Sequence, residues 1–154
     1  MLESMVFRNC VFFRDNHIEF GWIEGTQKNK LIVVPSQGKN LFLPLNRIAF
    51  SWQDKKIAKN SEHAHKSIEI QIKKAESFKK SLELETMHSL LEKIKEYSLD
   101  ELAENFLDDP KNITKKLGLF FSLREDFLWF KHNRNFTYTP RTEKELELIK
   151  IQIL

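Results

Sequence analysis

Seven basic side chains between residues 110 and 141 are the groups in this sequence best suited to binding a polyanion. They are Lys111, Lys115, Lys116, Arg124, Lys131, Arg134 and Arg141. Lysine and arginine neutralise phosphates and release counterions, which gives affinity that does not depend on base sequence. A solvated helix face carries similar residues, so the run by itself leaves both interpretations open.

The distribution of charge along the chain supports the first interpretation. Residues 1–60 hold nine Lys/Arg against five Asp/Glu, and residues 110–141 hold seven against two. Between them, residues 61–97 are balanced and residues 98–109 carry five acidic and no basic side chains. Two basic blocks separated in this way are expected where two surfaces face a polyanion, although the net charge is only +3.

The first basic block offers candidate RNA contacts of its own. Lys28, Lys30 and Lys39 fall on predicted loops, where small β-barrels usually meet nucleic acid. Phe12 and Phe42 are assigned to the strand face opposite the core, where they either stack on bases or pack against a neighbouring domain. The alternating aromatics Trp22, Phe50 and Trp52 are instead expected in the core, because one buried face requires this spacing.

Other residue patterns that carry chemistry are weak here. His63 and His65 are two apart, so on a helix they point about 200° apart, and we expect a solvated helix start without a metal. Cys10 is the single cysteine, which rules out an intramolecular disulfide, fits a reducing cytoplasmic location and is expected to be a buried thiol. The four glycines are too scattered for a phosphate-binding loop. We therefore predict no cofactor, no metal and no catalytic residue.

The first third of the chain has the alternation of short strands. Five strands are predicted, over 9–14, 17–24, 30–34, 40–43 and 48–52, with Asp15-Asn16 as a tight hairpin turn and a helical turn at 44–47. Five short strands with one turn before the fifth predict a small SH3-like or cold-shock-like β-barrel.

The rest of the chain has helical spacing. After a polar linker, Ile68, Ile72, Ala75 and Phe78 predict a helix over 62–80, and a second is predicted over 83–97. Further helices are predicted from a capping box at 98–101, from the start signal Asp109-Pro110 over 110–123, and from a capping box at 142–145, with a β-hairpin over 127–139 before the last.

Helix, helix and hairpin in this order are typical of a winged helix-turn-helix. The predicted class is α+β, divided into a β-barrel at 1–52, a linker and two connecting helices at 53–97, and a winged-helix domain at 98–154.

The second half of the chain also resembles a known family. Its Leu102-Ala103-Glu104 stretch and the later Asp126, Phe130, Lys131, Phe136, Pro140 and Arg141 resemble the winged-helix domain that precedes the catalytic domain in bacterial ribonuclease II-type exoribonucleases. That family carries a cold-shock-like domain upstream in the same order. The resemblance implies single-stranded RNA as the partner and a place in RNA degradation.

The chain departs from that family where catalysis is concerned. The family's catalytic domain holds a divalent metal on clustered aspartates, whereas the adjacent acidic pairs here are only 100–101, 108–109 and 125–126. We expect that this chain by itself is not an enzyme, and that it is either a fragment of a longer nuclease or a free-standing relative.

The prediction is an RNA-binding module, with a nuclease catalytic domain or another protein as its expected protein partner and no membrane. Two alternatives stay open: a protein–protein adaptor that docks through the neutral helices, and a winged-helix regulator of duplex DNA.

Overall fold

A computed structural model describes residues 2–153, apart from the side chain of Ile153. The chain is α+β, and its first third forms a five-stranded antiparallel sheet of β1 (Asn9–Arg14), β2 (His17–Gln27), β3 (Lys30–Pro35), β4 (Leu41–Leu43) and β5 (Ile48–Trp52). The strand order is β4-β3-β2-β1-β5. In the described residues β4 and β5 are the two edges and do not pair, so the sheet does not close into the predicted barrel.

Two tight turns set the register of the central strands. Asp15 and Asn16 have φ of 50° and 67°, and Arg14 pairs with His17 across them, as predicted. Lys28 and Asn29 repeat this geometry with φ of 48° and 65°. A bulge between Ile23 and Gly25 lets β2 run on to Gln27, three residues beyond its predicted end.

The main core of the sheet lies on the face that the sequence analysis placed opposite the core. Phe12 is fully buried in a cluster with Cys10, Ile23, Leu31, Val33 and Ile48. Gly21 makes room for it, since a Cβ there would lie 3.2 Å from Phe12 Cε1 and 2.6 Å from Val33 Cγ1. The assignment of Phe12 to the face opposite the core, where it would stack on bases or pack against a neighbouring domain, was therefore wrong.

The opposite face of the sheet is covered as well. Trp22 packs with Ala58 and with Ala64 of helix α1 (Ser61–Lys79), and Trp52 is also buried. The prediction that Trp22 and Trp52 are core residues is confirmed, while Phe50 is only partly buried. Because both faces of β1 and β2 bury side chains, alternation alone does not identify the inner one.

The remaining helices and strands are short. They are α2 (Leu84–Leu90), β6 (Tyr97–Ser98), α3 (Leu99–Phe106), α4 (Ile113–Glu125), β7 (Phe130–His132), β8 (Thr137–Pro140) and α5 (Glu143–Ile153). The three strands form a small antiparallel sheet in the order β6-β8-β7. Helices α3 and α4 are thus followed by a hairpin, as the sequence predicted.

The sequence correctly located two helix starts. The Ser98 hydroxyl accepts the Glu101 N–H at 3.1 Å, and Glu101 Oε1 accepts the Ser98 N–H at 3.2 Å. At α5, Thr142 and Glu145 form the same reciprocal pair. Each pair satisfies backbone donors that the first helical turn leaves free.

Two predicted helix boundaries were wrong. Helix α2 was predicted to reach residue 97 but ends at Leu90, because Lys93 Nζ caps it by donating to the His88 and Leu91 carbonyls and Ile94 has φ of 81°. Helix α4 begins at Ile113 and not at Pro110, because the cap is Asn112, whose Oδ1 accepts the Lys115 N–H at 3.1 Å.

The chain divides into two compact units, one through Ile70 and one from Gln71 onward, so the division falls within α1.

Candidate nucleic-acid interface

The first unit presents three lysines on the turns that flank β3. Lys28 lies in the β2–β3 turn, Lys30 is the first residue of β3, and Lys39 follows Gly38 in the β3–β4 loop, where Gly38 takes φ of 92°. All three side chains are exposed, and no described carboxylate pairs with them. Because strands rise about 3.3 Å per residue, the two turns lie roughly 17 Å apart along β3.

Between these turns an aromatic side chain points outward. Leu41 and Leu43 pack against the core cluster, so Phe42 lies on the opposite face of β4, with 52% of its surface exposed. It pairs with Ile32, and Ile32 in turn pairs with Gly25 of β2. Lys30 shares the face of Ile32, being two residues before it.

We call this outward face of Gly25, Lys30, Ile32 and Phe42, together with the flanking Lys28 and Lys39, the β3–β4 patch. It combines an exposed aromatic ring with lysines at both ends of β3. Gly25 pairs with Ile32 and has no side chain, so no side chain projects from that position beside Ile32. The arrangement is suited to stacking one base on Phe42 while ammonium groups contact phosphates on either side.

In the second unit, three of the predicted RNA-binding lysines form ion pairs. Lys115 Nζ lies 2.7 Å from Asp108 Oδ1, Lys116 pairs with Asp100, and Lys131 Nζ lies 2.6 Å from Glu145 Oε2. The side chains of Lys115 and Lys116 are only 27% and 19% exposed. Lys115 also lies 5.9 Å from the centroid of the Phe78 ring. The nearby carboxylates offset much of the field that these ammonium groups would exert on a phosphate.

The other basic residues of the second unit differ in access. Lys111 and Arg134 are exposed, on the segment before α4 and in the β7–β8 turn. Arg124, in the last turn of α4, is partly buried. Arg141 is also partly buried, and its backbone carbonyl accepts a 2.7 Å hydrogen bond from His88 Nε2. Lys111 and Arg134 are therefore the most accessible cations among the predicted residues of this unit.

Five of the six side chains in the acidic pairs form hydrogen bonds or ion pairs within the described part of the second unit. Asp100 and Asp108 hold the two lysines, Glu101 caps α3, and Glu125 accepts from Lys79 Nζ at 2.8 Å. Asp126 accepts three backbone N–H groups at the start of the hairpin. Within residues 2–153 no three His, Cys, Asp or Glu side chains come together as a metal-binding group.

The histidines predicted to mark a helix start are found there. Asn60 Oδ1 accepts the His63 N–H at 2.9 Å, and His63 Nδ1 accepts the Lys59 N–H at 3.4 Å. The His63 ring thus takes part in the cap of α1. Cys10 lies in the core, and burial raises the pKa of its thiol to about 12.

Comparison with known proteins found no matching protein family, no similar curated protein and no similar solved structure. Among the helices of the described residues, none has the length and apolar character needed to cross a bilayer.

Proposed function

We propose that the chain is an RNA-binding module that contacts single strands through the β3–β4 patch. The observation that carries the proposal is the half-exposed Phe42 ring, flanked at both ends of the strand by exposed lysines without a described carboxylate partner. Single-stranded nucleic acids are bound in this way, by aromatic rings that stack on bases beside cations that track the backbone.

In this proposal the first unit is a small SH3-like or cold-shock-like domain, and the second is a winged helix built from α3, α4 and the β7–β8 hairpin. Lys111 and Arg134 then provide a second, weaker contact with phosphates. The whole corresponds to the non-catalytic RNA-binding part of a ribonuclease II-type exoribonuclease, the family that the sequence resembles.

The stacking step is tested by replacing Phe42 with Ala. Base–aromatic stacking contributes about 1–3 kcal/mol per base, so Phe42→Ala should weaken binding of a labelled single-stranded RNA by roughly fivefold to a hundredfold in fluorescence anisotropy. The matched control is Phe127→Ala, which removes a ring that is 78% exposed in the second unit. Equal affinities of both variants and the original chain would exclude stacking on Phe42.

The same incubations test the absence of catalysis. On a denaturing gel we expect the RNA to stay at full length with added magnesium or manganese, because metal-assisted hydrolysis needs several carboxylates converging on the ion. Shortened products that disappear when one Asp or His is replaced would contradict this part of the proposal.

A second candidate is a protein–protein adaptor, which the exposed apolar side chains of the second unit favour. They are Leu90, Ile94, Phe127, Leu148 and Ile151, each more than half exposed. A complex held by such residues would resist salt, whereas phosphate contacts weaken as salt rises. Preference for duplex DNA over a single strand in the same titration would point to the regulator instead.

A further inference from the structure

The second unit contains a cavity that the proposed RNA contacts do not involve. Its volume is about 490 Å³, and it lies between α2, the segment after α2, the start of the β7–β8 hairpin and α5. Trp129 and Leu146 provide its apolar lining. A concave site with an aromatic wall and a few polar groups is the usual form of a small-ligand site.

The polar lining is rich in hydrogen-bond acceptors. Glu85, Glu143 and Glu147 line the cavity, and no ion pair joins any of them to a described cation. Glu145, which lies on α5 with Glu143 and Glu147, is by contrast paired with Lys131. The cavity wall thus carries three acidic side chains outside any described ion pair against two lysines, an excess of negative charge that favours a cation over a phosphate.

The two lysines on the wall, Lys93 and Lys150, offset part of this charge. Lys93 Nζ is engaged by two backbone carbonyls, at 2.5 Å from His88 O and 2.9 Å from Leu91 O, at the C-terminal end of α2. His88 is buried, and its Nε2 donates to the Arg141 carbonyl at 2.7 Å. The remaining cation is Lys150.

Lys150 lies next to the aromatic side chain of the cavity wall, Trp129. Its Nζ lies 5.7 Å from the centroid of the Trp129 ring, within the range of a cation–π contact. The ring is therefore already next to an alkylammonium group that belongs to the chain itself. An ammonium from outside would find the same ring together with the three carboxylates.

We propose that this cavity binds a primary alkylammonium group, with its carbon chain on Trp129 and Leu146 and its charge among Glu85, Glu143 and Glu147. Lys150 acts as an internal competitor for the face of Trp129. The ligand is either a free aliphatic diamine or a lysine side chain of another protein, which share this chemistry. The proposal is independent of RNA binding, because it concerns other residues and the opposite charge.

The test is an NMR titration of the ¹⁵N-labelled full chain, observing the indole N–H of Trp129. The probes are 1,5-diaminopentane and Nα-acetyl-lysine methylamide, with sodium chloride and adenosine monophosphate at equal ionic strength as controls. We expect both amines to shift the indole signal to saturation and both controls to leave it in place. Tighter binding of the diamine would assign the ligand to free diamines, and equal binding would assign it to a lysine side chain.

Three variants separate recognition from a general salt effect. Glu147→Gln should weaken amine binding about fivefold, the effect of one exposed charge at about 4 Å. Lys150→Met should tighten it by a similar factor, since a like charge leaves the ring. Glu104→Gln, a matched change at an exposed site on α3, should leave it unchanged. No saturable shift, a stronger response to the nucleotide, or equal effects of the two Glu→Gln variants would overturn the proposal.

Discussion

Asp126 is expected to hold the start of the β7–β8 hairpin through three hydrogen bonds. Its Oδ1 accepts the N–H groups of Leu128 at 3.0 Å and Trp129 at 3.1 Å, and its Oδ2 accepts that of Phe130 at 2.9 Å. Leu128 and Trp129 lie between the end of α4 and the start of β7, and Phe130 is the first residue of β7. The family resemblance included Asp126, and this geometry gives it a structural role.

Replacing Asp126 should cost stability in proportion to the bonds lost. A net hydrogen bond contributes about 1 kcal/mol, so Asp126→Ala should lower the free energy of unfolding of the second unit by about 3 kcal/mol. Asp126→Asn keeps one oxygen acceptor for Leu128 and Trp129 and loses the other, so its cost should be about 1 kcal/mol. The graded series is the prediction.

Native-state hydrogen exchange in low urea measures this effect where it occurs. The amides of Leu128, Trp129 and Phe130 should lose protection in Asp126→Ala, whereas in Asp126→Asn the amide of Phe130 should lose most. Asp109→Ala is the matched control, because that carboxylate is exposed and forms no hydrogen bond or ion pair among the described residues. A stability change below about 0.5 kcal/mol in Asp126→Ala, or equal costs of the Asn and Ala variants, would refute the reasoning.

Three further predictions concern packing and titration. Gly118→Ala should destabilise the second unit by about 1–3 kcal/mol in urea unfolding, although alanine has a better helix propensity than glycine. The reason is that the added Cβ would lie 2.8 Å from Phe78 Cδ2 and 3.0 Å from a backbone oxygen of α1. A gain in stability would contradict this. Cys10, whose pKa burial raises to about 12, should react with a thiol reagent only as fast as the first unit unfolds, and rapid labelling of the native protein would show otherwise. Lys131 and the N–H of Thr142 lower the pKa of Glu145 to about 2. The stability that ionised Glu145 gives the fold should therefore be fully present above its ordinary pKa of 4.5 and should be lost as the pH falls from there to 2. Melting curves of Glu145→Gln should lack this part of the pH dependence.

The strands of the first unit could be predicted closely because their signals are local. Strands β1 and β5 begin and end at the predicted residues, and Asp15-Asn16 specifies its turn through the positive φ that these residue types tolerate. The capping box at Ser98 is equally local, since its partners are three residues apart.

The inner face of the sheet could not be predicted in the same way. Phe12 alternates as an outward residue would if Trp22 marks the core. Trp22 is buried by Ala58 and Ala64, which follow it by more than thirty residues, while Gly21 opens the space that Phe12 fills. These long-range contacts determine which face of the sheet holds the main core, and the alternation of residue types along a strand gives no information about them.

The lysines of α4 illustrate the same limit for the candidate site. The spacing of Lys115 and Lys116 correctly suggested a helix surface, but Asp108 and Asp100, which pair with them, lie seven and sixteen residues earlier. Conversely, the sequence correctly suggested that Phe42 lies on the face opposite Leu41 and Leu43, because the three residues alternate on a short edge strand. On this edge strand the exposure of Phe42 follows from local alternation, whereas the charge pairing of Lys115 and Lys116 depends on the tertiary fold.

The measurement that tests the central claim most directly is the salt dependence of RNA binding by a variant without the patch lysines. Lys28→Glu/Lys30→Glu/Lys39→Glu is compared with Lys73→Glu/Lys74→Glu/Lys80→Glu, an equal charge change on exposed residues in or just after the C-terminal part of α1. Each phosphate contact with a single strand contributes about 0.7 to the log–log slope, so removing three should reduce the slope by about 2 and weaken binding strongly, while the control keeps most of both. Binding and slope that fall equally in the two variants would show that only net charge matters and would contradict an RNA site at the β3–β4 patch.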